Sequence, residues 1–222
     1  MKKLAFIFGL PRGGTTLVWG LLNDCEKTFA IRKDSTTSES AIYVNEKNPK
    51  EIIEKTLEQN SDKLVFEKTP IHTLHHKRIC SDFPNSCKII IDRFPLATAN
   101  SLKKVTWAEY NNERIVNDIK EYYQNINQIR NYDNSFNIRF KDIIEDFENT
   151  VGGLYKFLGI DYTEYDLIYT KRILHKHILS NKNAFRSGKV HSWRTELSPY
   201  DISYFRENLS NEIETHNKFW KR

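Results

Sequence analysis

The residues best suited to chemistry lie near the start of the chain, between two apolar segments. The run 4–8 is long enough for one buried strand, and the Gly- and Pro-rich stretch 9–14 after it breaks regular structure. Residues 15–22 then predict a helix with a threonine cap. Strand, glycine loop and helix together are typical of a phosphate-binding loop, because glycines let backbone N–H groups turn inward and the helix N-terminus adds partial positive charge.

This loop departs from the version found in nucleotide hydrolases. That version reads GxxxxGK[ST], in which a lysine reaches the outer phosphates and a hydroxyl binds magnesium. Here Gly9 and Gly14 keep the spacing, but Thr15 stands at the lysine position and the basic residue, Arg12, lies inside the loop. Such a loop suits a shorter anion and does not need magnesium.

Further strands must hold this loop in place. Apolar runs predict them at 63–66, 86–92 and 136–140, with helical patterns between them. The alternation predicts an α/β fold: a three-layer sandwich with a mostly parallel central sheet and helices on both faces. Ligands bind at the carboxyl ends of parallel strands, where Lys68 and Arg93 stand. The stretch 24–48 is interpreted as a loop. Residues 49–59 are interpreted as a helix, and residues 198–219 as one last helix.

Length and composition narrow the class of protein. A chain of 222 residues fits one domain, 1–222, with a full α/β core. The net charge of +5 comes without a dense basic tract, which argues against a nucleic-acid partner. The early apolar run is too interrupted for a signal peptide or a membrane span. Three cysteines without a CxxC pair favour reduced thiols and a cytoplasmic protein, and the three histidines within 72–76 lack the ligand spacing of a metal site.

Four separate motifs resemble those of the sulfotransferase family that uses 3′-phosphoadenosine 5′-phosphosulfate (PAPS). Residues 11–16 match the pattern P-[KR]-x-G-T-T, and Lys68-Thr69 matches a K-[TS] pair. Arg93 is followed eight residues later by Ser101, as in the family's 3′-phosphate site. Residues 186–193 match R-x-G-x-x-G-x-W, except that His191 replaces the second glycine. In the 3′-phosphate site, the acidic residue that usually follows the arginine is also replaced: Phe94 follows Arg93.

The resemblance implies which residues bind the donor PAPS and its product, 3′-phosphoadenosine 5′-phosphate (PAP). Those of the loop and the helix start would hold the 5′-phosphosulfate: Arg12, Gly13, Gly14, Thr15, Thr16 and Leu17. The 3′-phosphate and adenosine would be held by Arg93, Ser101, Arg186, Ser187 and Gly188. No metal is required by this scheme.

The implied reaction is in-line transfer of a sulfuryl group to an acceptor hydroxyl or amine. Arg12 and Lys68 would offset the growing negative charge, and a general base would deprotonate the acceptor. The resemblance leaves two candidates for that base, Glu39 and His72. A saccharide, a glycolipid and a small metabolite all remain open as the acceptor. The oligomeric state is also open, and a homodimer is one possibility.

Two other classes of function stay open from the residues alone. One is a P-loop kinase acting on a small molecule, for which Asp92 is the weak candidate for a magnesium carboxylate. The other is a non-catalytic nucleotide-binding module. Binding of PAP as against ATP with magnesium separates these classes.

Overall fold

A computed structural model describes residues 3–180 and 190–221 as an α/β protein built on one parallel sheet. Within these ranges the sheet has five strands in the order β2-β3-β1-β4-β5, and every neighbouring pair is parallel. The strands are β1 (Leu4–Phe8), β2 (Thr28–Ile31), β3 (Leu64–Lys68), β4 (Cys87–Asp92) and β5 (Ser135–Arg139).

The core occupies both faces of the sheet. Along β1, Leu4, Phe6 and Phe8 pack into one apolar cluster while Ala5 and Ile7 pack into the other. All five of these residues are buried, which explains the uninterrupted apolar run: a strand covered on both faces has no polar side. The three-layer α/β sandwich predicted from the sequence is therefore confirmed.

Twelve helices occur in the described ranges, most of them packed on the two faces of the sheet. Their bounds are α1 (Thr15–Asn23), α2 (Ile42–Asn45), α3 (Pro49–Gln59), α4 (His76–Asp82), α5 (Pro95–Leu102), α6 (Asn112–Ile129), α7 (Phe140–Glu145), α8 (Phe147–Leu158), α9 (Glu164–Ser180), α10 (Trp193–Glu196), α11 (Pro199–Asn208) and α12 (Ser210–Phe219). A 3-10 turn, Pro70–Thr73, follows β3. Among these helices, none combines the length and the apolar character that crossing a bilayer would need.

Three local predictions were wrong. The stretch 24–48 contains the strand β2, whose four residues form a sheet edge with Phe29 exposed, so no long apolar run marks it. The last helix is two helices: α11 ends at Asn208 and α12 begins at Ser210, with Leu209 as the cap between them. The predicted threonine cap of α1 is instead Gly14, with no side-chain cap.

All three cysteines are free thiols. Cys80 and Cys87 are buried, and Cys25 is partly exposed. Burial raises the pKa of Cys25 and of Cys80, which keeps both in the protonated, weakly nucleophilic form at neutral pH.

The parallel sheet brings the carboxyl ends of all five strands to one edge, and three of them carry candidate site residues. β1 runs into the loop 9–14, β3 ends at Lys68 and β4 leads into Arg93. Because β1 pairs with β3 on one side and β4 on the other, these three groups are neighbours in space. The sheet order thus places the phosphate-loop candidate in the middle of the edge where ligands bind.

Asp92, the last residue of β4, ties this edge to the C-terminal helix. Its side chain is fully buried and forms an ion pair with Arg130. It also accepts hydrogen bonds from Tyr123 Oη and Trp220 Nε1, both at 2.8 Å, and lies 3.2 Å from His216 Nδ1. Burial alone would raise the pKa of Asp92, but these donors outweigh it and lower the pKa to about 2.

We expect Asp92 to make stability depend on acid pH. Its carboxyl titrates near 3.8 when unpaired and near 2 in the fold, so its stabilisation is complete above the unfolded value and disappears as pH falls through the folded one. The difference corresponds to about 2 kcal/mol of unfolding free energy. The free energy of unfolding, measured with urea at pH 6 and at successively lower pH, should fall by about 2 kcal/mol more in the wild type than in Asp92→Asn. The exposed Asp133→Asn serves as the matched control and should keep the wild-type slope; parallel curves for wild type and Asp92→Asn would contradict the assignment.

Candidate active site

The loop between β1 and α1 has a conformation that glycine makes accessible. Its turn closes with a hydrogen bond from Gly13 N to Leu10 O at 2.9 Å, and Gly14 adopts a φ of 110° as the cap of α1. A Cβ on Gly14 would lie only 2.7 Å from the ring of Phe140. Gly14 therefore meets two requirements that a larger residue fails: a left-handed backbone and a close approach to a neighbouring ring.

The first turn of α1 offers donors to an anion. Thr15 and Thr16 are its first two residues, so their backbone N–H groups have no partner within the helix. Leu17 differs from them: its N–H donates to Gly14 O at 2.9 Å and its side chain is buried in the core. The N–H groups of Leu17 and Gly13 are thus already used within the protein, and the donor contacts predicted for these two residues stay predictions.

Thr73, in the 3-10 turn after β3, holds the start of the loop. Its hydroxyl accepts from Gly9 N at 2.9 Å and donates to Gly9 O at 3.1 Å. No sequence pattern predicts this contact, because 64 residues separate the two partners. The clamp fixes the point at which the chain leaves β1 and enters the loop.

Two arginines meet at the far side of the loop. Arg93 donates from Nη1 to the carbonyl of Arg12 at 2.8 Å, while Arg12 Nε donates to Ser101 Oγ at 3.2 Å. Arg12 is also a non-glycine residue with a φ of 64°, a backbone conformation that costs energy and is common at functional sites. The three residues that sequence reasoning placed at the two phosphate sites thus form one continuous group.

Arg93 carries a donor that no described residue satisfies. Its Nε is buried without a hydrogen-bond partner in the described part of the chain. Burial, and next the positive charge of Arg12, lower the pKa of Arg93 to about 10. A buried guanidinium with a spare donor beside a second guanidinium is an arrangement that an anion stabilises.

Arg93 opens into a cavity of about 260 Å³, which we call the Trp193 cavity. It is lined by Arg93, Phe94, Arg139, Phe140, Lys141 and Trp193, among others. Trp193 is buried and its ring lies 5.5 Å from that of Phe94. Aromatic walls next to several positive charges suit a ligand that joins a flat ring to a phosphate. Arg186, Ser187 and Gly188 lie outside the described residues, and His191 borders the cavity.

Lys68 joins the phosphate loop to the loop that carries Glu39. Its side chain is completely buried, and Nζ donates to Thr16 Oγ1 at 3.3 Å, to Ser38 Oγ at 2.8 Å and to Glu39 Oε1 at 2.9 Å. Burial lowers the pKa of Lys68, although Glu39 opposes the shift. The result is a single cation that touches both the anion-binding helix start and a carboxylate.

His72 lies behind the site and has no free ring nitrogen. Its Nδ1 is 2.7 Å from Glu67 Oε2, and its Nε2 accepts from the backbone N–H of Tyr43 at 3.2 Å. The side chain is also 1% exposed. Both ring nitrogens are thus occupied within the protein, which favours Glu39 over His72 as the candidate general base.

Glu67, the partner of His72, shapes the loop that carries Glu39. Its Oε1 accepts from Ser40 Oγ at 2.7 Å and from Thr69 Oγ1 at 2.6 Å, and Thr69 Oγ1 in turn accepts from Ser40 N and Ala41 N. Burial alone would raise the pKa of Glu67, but hydrogen bonds, the largest from His72, outweigh it and lower the pKa. This buried network holds the backbone next to Glu39 in place.

A second cavity, of about 560 Å³, lies on the other side of the loop. We call it the Tyr122 cleft, and its walls include Arg12, Thr16, Glu39, Trp107, Tyr110 and Tyr122. Glu39 is one of three carboxylates in this lining; its side chain is 44% exposed and is bound by Lys68. The aromatic residues were not assigned from the sequence, since Tyr122 belongs to an ordinary helical stripe and Trp107 to an irregular segment.

No group of three or more potential metal ligands occurs in the ranges 3–180 and 190–221. His75 and His76, whose spacing was considered above, belong to no such group in these ranges. His76 is buried and its Nδ1 contacts the carbonyl of Thr73 at 3.1 Å. Burial lowers the pKa of both His75 and His76.

A glycine loop and two arginines at the end of a parallel sheet define a class of proteins that bind phosphorylated or sulfated anions. Comparison with known families gives the particular family. The sequence model described as "Sulfotransferase family" matches residues 26–164, more than half of the chain. The chain therefore belongs to the sulfotransferase family. The match begins after the phosphate loop, so the loop is an independent observation.

Solved structures of sulfotransferases share the fold. The sulfotransferase domain of the Synechococcus PCC 7002 olefin synthase aligns with a TM-score of 0.67 at 16% identity, covering 95% of this chain and 96% of that domain. Mouse sulfotransferase SULT7A1, solved with PAP, gives 0.65 at 15% identity over 99% and 89% of the two chains. Retinol dehydratase, solved with androsterone and PAP, gives 0.54 at 16% identity over 93% and 80%. A search of curated protein sequences returns no match.

Proposed function

We propose that this sulfotransferase uses PAPS as donor and a hydroxyl or amine of a saccharide, glycolipid or small metabolite as acceptor. The observation that carries the proposal is the group formed by Arg12, Arg93 and Ser101 beside the first turn of α1. Two structural relatives were solved with PAP, which supports the choice of nucleotide.

The residues present fit the two ends of this donor. The N–H groups of Thr15 and Thr16 suit the 5′-phosphosulfate, with Arg12 beside it. Arg93 offers to the 3′-phosphate a buried Nε that no described residue satisfies, and Ser101 lies against Arg12, whose carbonyl binds Arg93. The Trp193 cavity continues from Arg93 with Phe94 and Trp193 as walls for the adenine ring.

When bound, PAPS supplies the sulfuryl group: the bond from sulfur to the bridging oxygen breaks with its electron pair left on PAP, and sulfur bonds to the acceptor oxygen or nitrogen. Glu39 accepts the proton that the acceptor loses. Arg12 acts through charge alone, because a guanidinium stays protonated at neutral pH. Lys68 contributes charge at Thr16 and fixes the carboxylate of Glu39 by its hydrogen bond.

The kinase alternative loses its magnesium candidate. Asp92 is fully buried and is bound by Arg130, Tyr123, Trp220 and His216, so its carboxylate faces the C-terminal helix. Its role is to hold the end of β4 and thereby the backbone of Arg93.

Thermal unfolding with PAP, compared with ATP plus magnesium, tests the proposal. A ligand at about 100 times its dissociation constant adds roughly 2.7 kcal/mol, which raises the melting temperature by several degrees in a domain of this size. We expect that shift with PAP and a smaller one with ATP. A shift with ATP and magnesium but none with PAP would contradict the proposal and favour the kinase.

A further inference from the structure

We propose that the acceptor carries an ammonium group in addition to the hydroxyl or amine that is sulfated. The inference rests on the proposed function, because it takes the Tyr122 cleft as the acceptor site. It depends on three observations: the charge of the cleft walls, the lack of an ion pair to two of the wall carboxylates among the described residues, and the aromatic groups at the cleft mouth.

The walls of the cleft are predominantly negative. Asp118, Glu121 and Glu39 contribute three carboxylates, against the single guanidinium of Arg12. Asp118 and Glu121 stand three residues apart on α6 and therefore share one face of that helix. Glu39 comes from the loop before α2. Carboxylates from two separate elements thus line the same space.

The cations nearest to these carboxylates are directed elsewhere. Lys68 pairs with Glu39, and Arg12 Nε donates to Ser101. Arg114 stacks on the ring of Tyr110, with its Cζ 4.8 Å from the ring centroid, and donates from Nη1 to Glu109 O. Asp118 accepts a hydrogen bond from the hydroxyl of Tyr110, which leaves its charge in place. Within the described ranges neither Asp118 nor Glu121 forms an ion pair, so an acceptor cation is the group that would neutralise them.

Aromatic side chains complete a site suited to a cation. Trp107 is 62% exposed and meets Tyr110 edge to face, with the ring centroids 5.7 Å apart. Tyr122 forms the buried floor. Burial first, and Asp118 next, raise the pKa of Tyr110 to about 12 and also raise that of Tyr122. Both phenols therefore stay neutral, and their rings and that of Trp107 can stabilise an ammonium by cation–π contact.

Matched acceptors of different charge test the proposal. PAP release from PAPS would be measured with tyramine, N-acetyltyramine and 4-hydroxyphenylacetate, and with glucosamine, N-acetylglucosamine and glucuronate. We expect kcat/KM for the amine of a series to exceed that for its N-acetyl counterpart by at least about fivefold, the effect of an ion pair of about 1 kcal/mol. The carboxylate member should be the poorest acceptor.

Variants locate the preference in the cleft. The double variant Asp118→Asn, Glu121→Gln should remove the preference for the amine, while the thermal shift with PAP stays unchanged. Glu58→Gln, an exposed carboxylate outside both cavities, should keep the preference. Equal or better use of the N-acetyl or carboxylate acceptors overturns the proposal, as does a preference that survives the double variant. Absence of turnover with all six acceptors, in a protein that binds PAP, also counts against it. Absence of PAP binding instead refutes the proposed function.

Discussion

Arg93→Ala should remove most of the stabilisation that PAP gives to the wild type. The variant loses a buried guanidinium whose Nε is unsatisfied in the described structure and whose charge lies beside that of Arg12. Charge-assisted hydrogen bonds to a phosphate contribute about 1.5–3 kcal/mol each, so the dissociation constant of PAP should rise about 100-fold. At a PAP concentration that gives the wild type about 2.7 kcal/mol, the variant should retain roughly 0.4 kcal/mol.

Controls separate the loss of the phosphate contact from damage to the loop. Arg93 also donates to the carbonyl of Arg12, so the melting temperature of Arg93→Ala without ligand must be measured first. Arg93→Lys keeps the charge but not the planar fork and should bind PAP with intermediate affinity. The exposed Arg32→Ala is the matched control and should behave as wild type. A full PAP shift in Arg93→Ala would show that the 3′-phosphate binds elsewhere.

Glu39→Gln should abolish most turnover without changing PAP binding. The substitution keeps the size of the side chain and an acceptor oxygen for Lys68, but removes the group that takes the acceptor proton. Loss of a general base costs about 100-fold to 10,000-fold in rate. The measurement is kcat for sulfation of the best acceptor, together with the thermal shift produced by PAP.

Three further variants make this result specific. Glu46→Gln replaces an exposed carboxylate close to the same loop and should leave kcat unchanged. His72→Gln tests the second candidate for the general base. It is expected to lower the free energy of unfolding, because the ring bridges Glu67 and the backbone of Tyr43. Lys68→Met should reduce kcat, since it removes the cation that orients Glu39 and faces Thr16. Turnover close to wild type in Glu39→Gln would exclude Glu39 as the base.

The sheet and the phosphate loop were predictable because their signals are local. Four of the five described strands carry apolar residues in a recognisable pattern, continuous in β1 and alternating in β5, from which the sequence predicts them. Gly159 marks the end of α8 equally locally, in the left-handed conformation that glycine favours. Strand β2 was not predicted, because an edge strand of four residues of which only the first and the last are buried has no such signal.

The interior of the candidate site was not predictable, because it depends on contacts between distant residues. Lys68 meets Ser38 and Glu39 across about thirty positions of sequence, and Thr73 meets Gly9 across 64. Whether His72 faces the cleft or the core depends on the loop that places Tyr43 N–H against its ring. No periodicity or spacing encodes that choice. The same holds for the Tyr122 cleft, whose walls come from five separate stretches of chain.

The network around Asp92 has a consequence for the order of folding. The donors to this carboxylate come from Tyr123, Arg130 and Trp220, and the most distant of them, Trp220, lies 128 positions from Asp92. A chain leaving the ribosome carries the phosphate loop among its first segments, but Arg93 is fixed only once α12 has been synthesised and has docked. Closing such distant contacts is slow. Nucleotide affinity should therefore arise late in folding, after the sheet has formed.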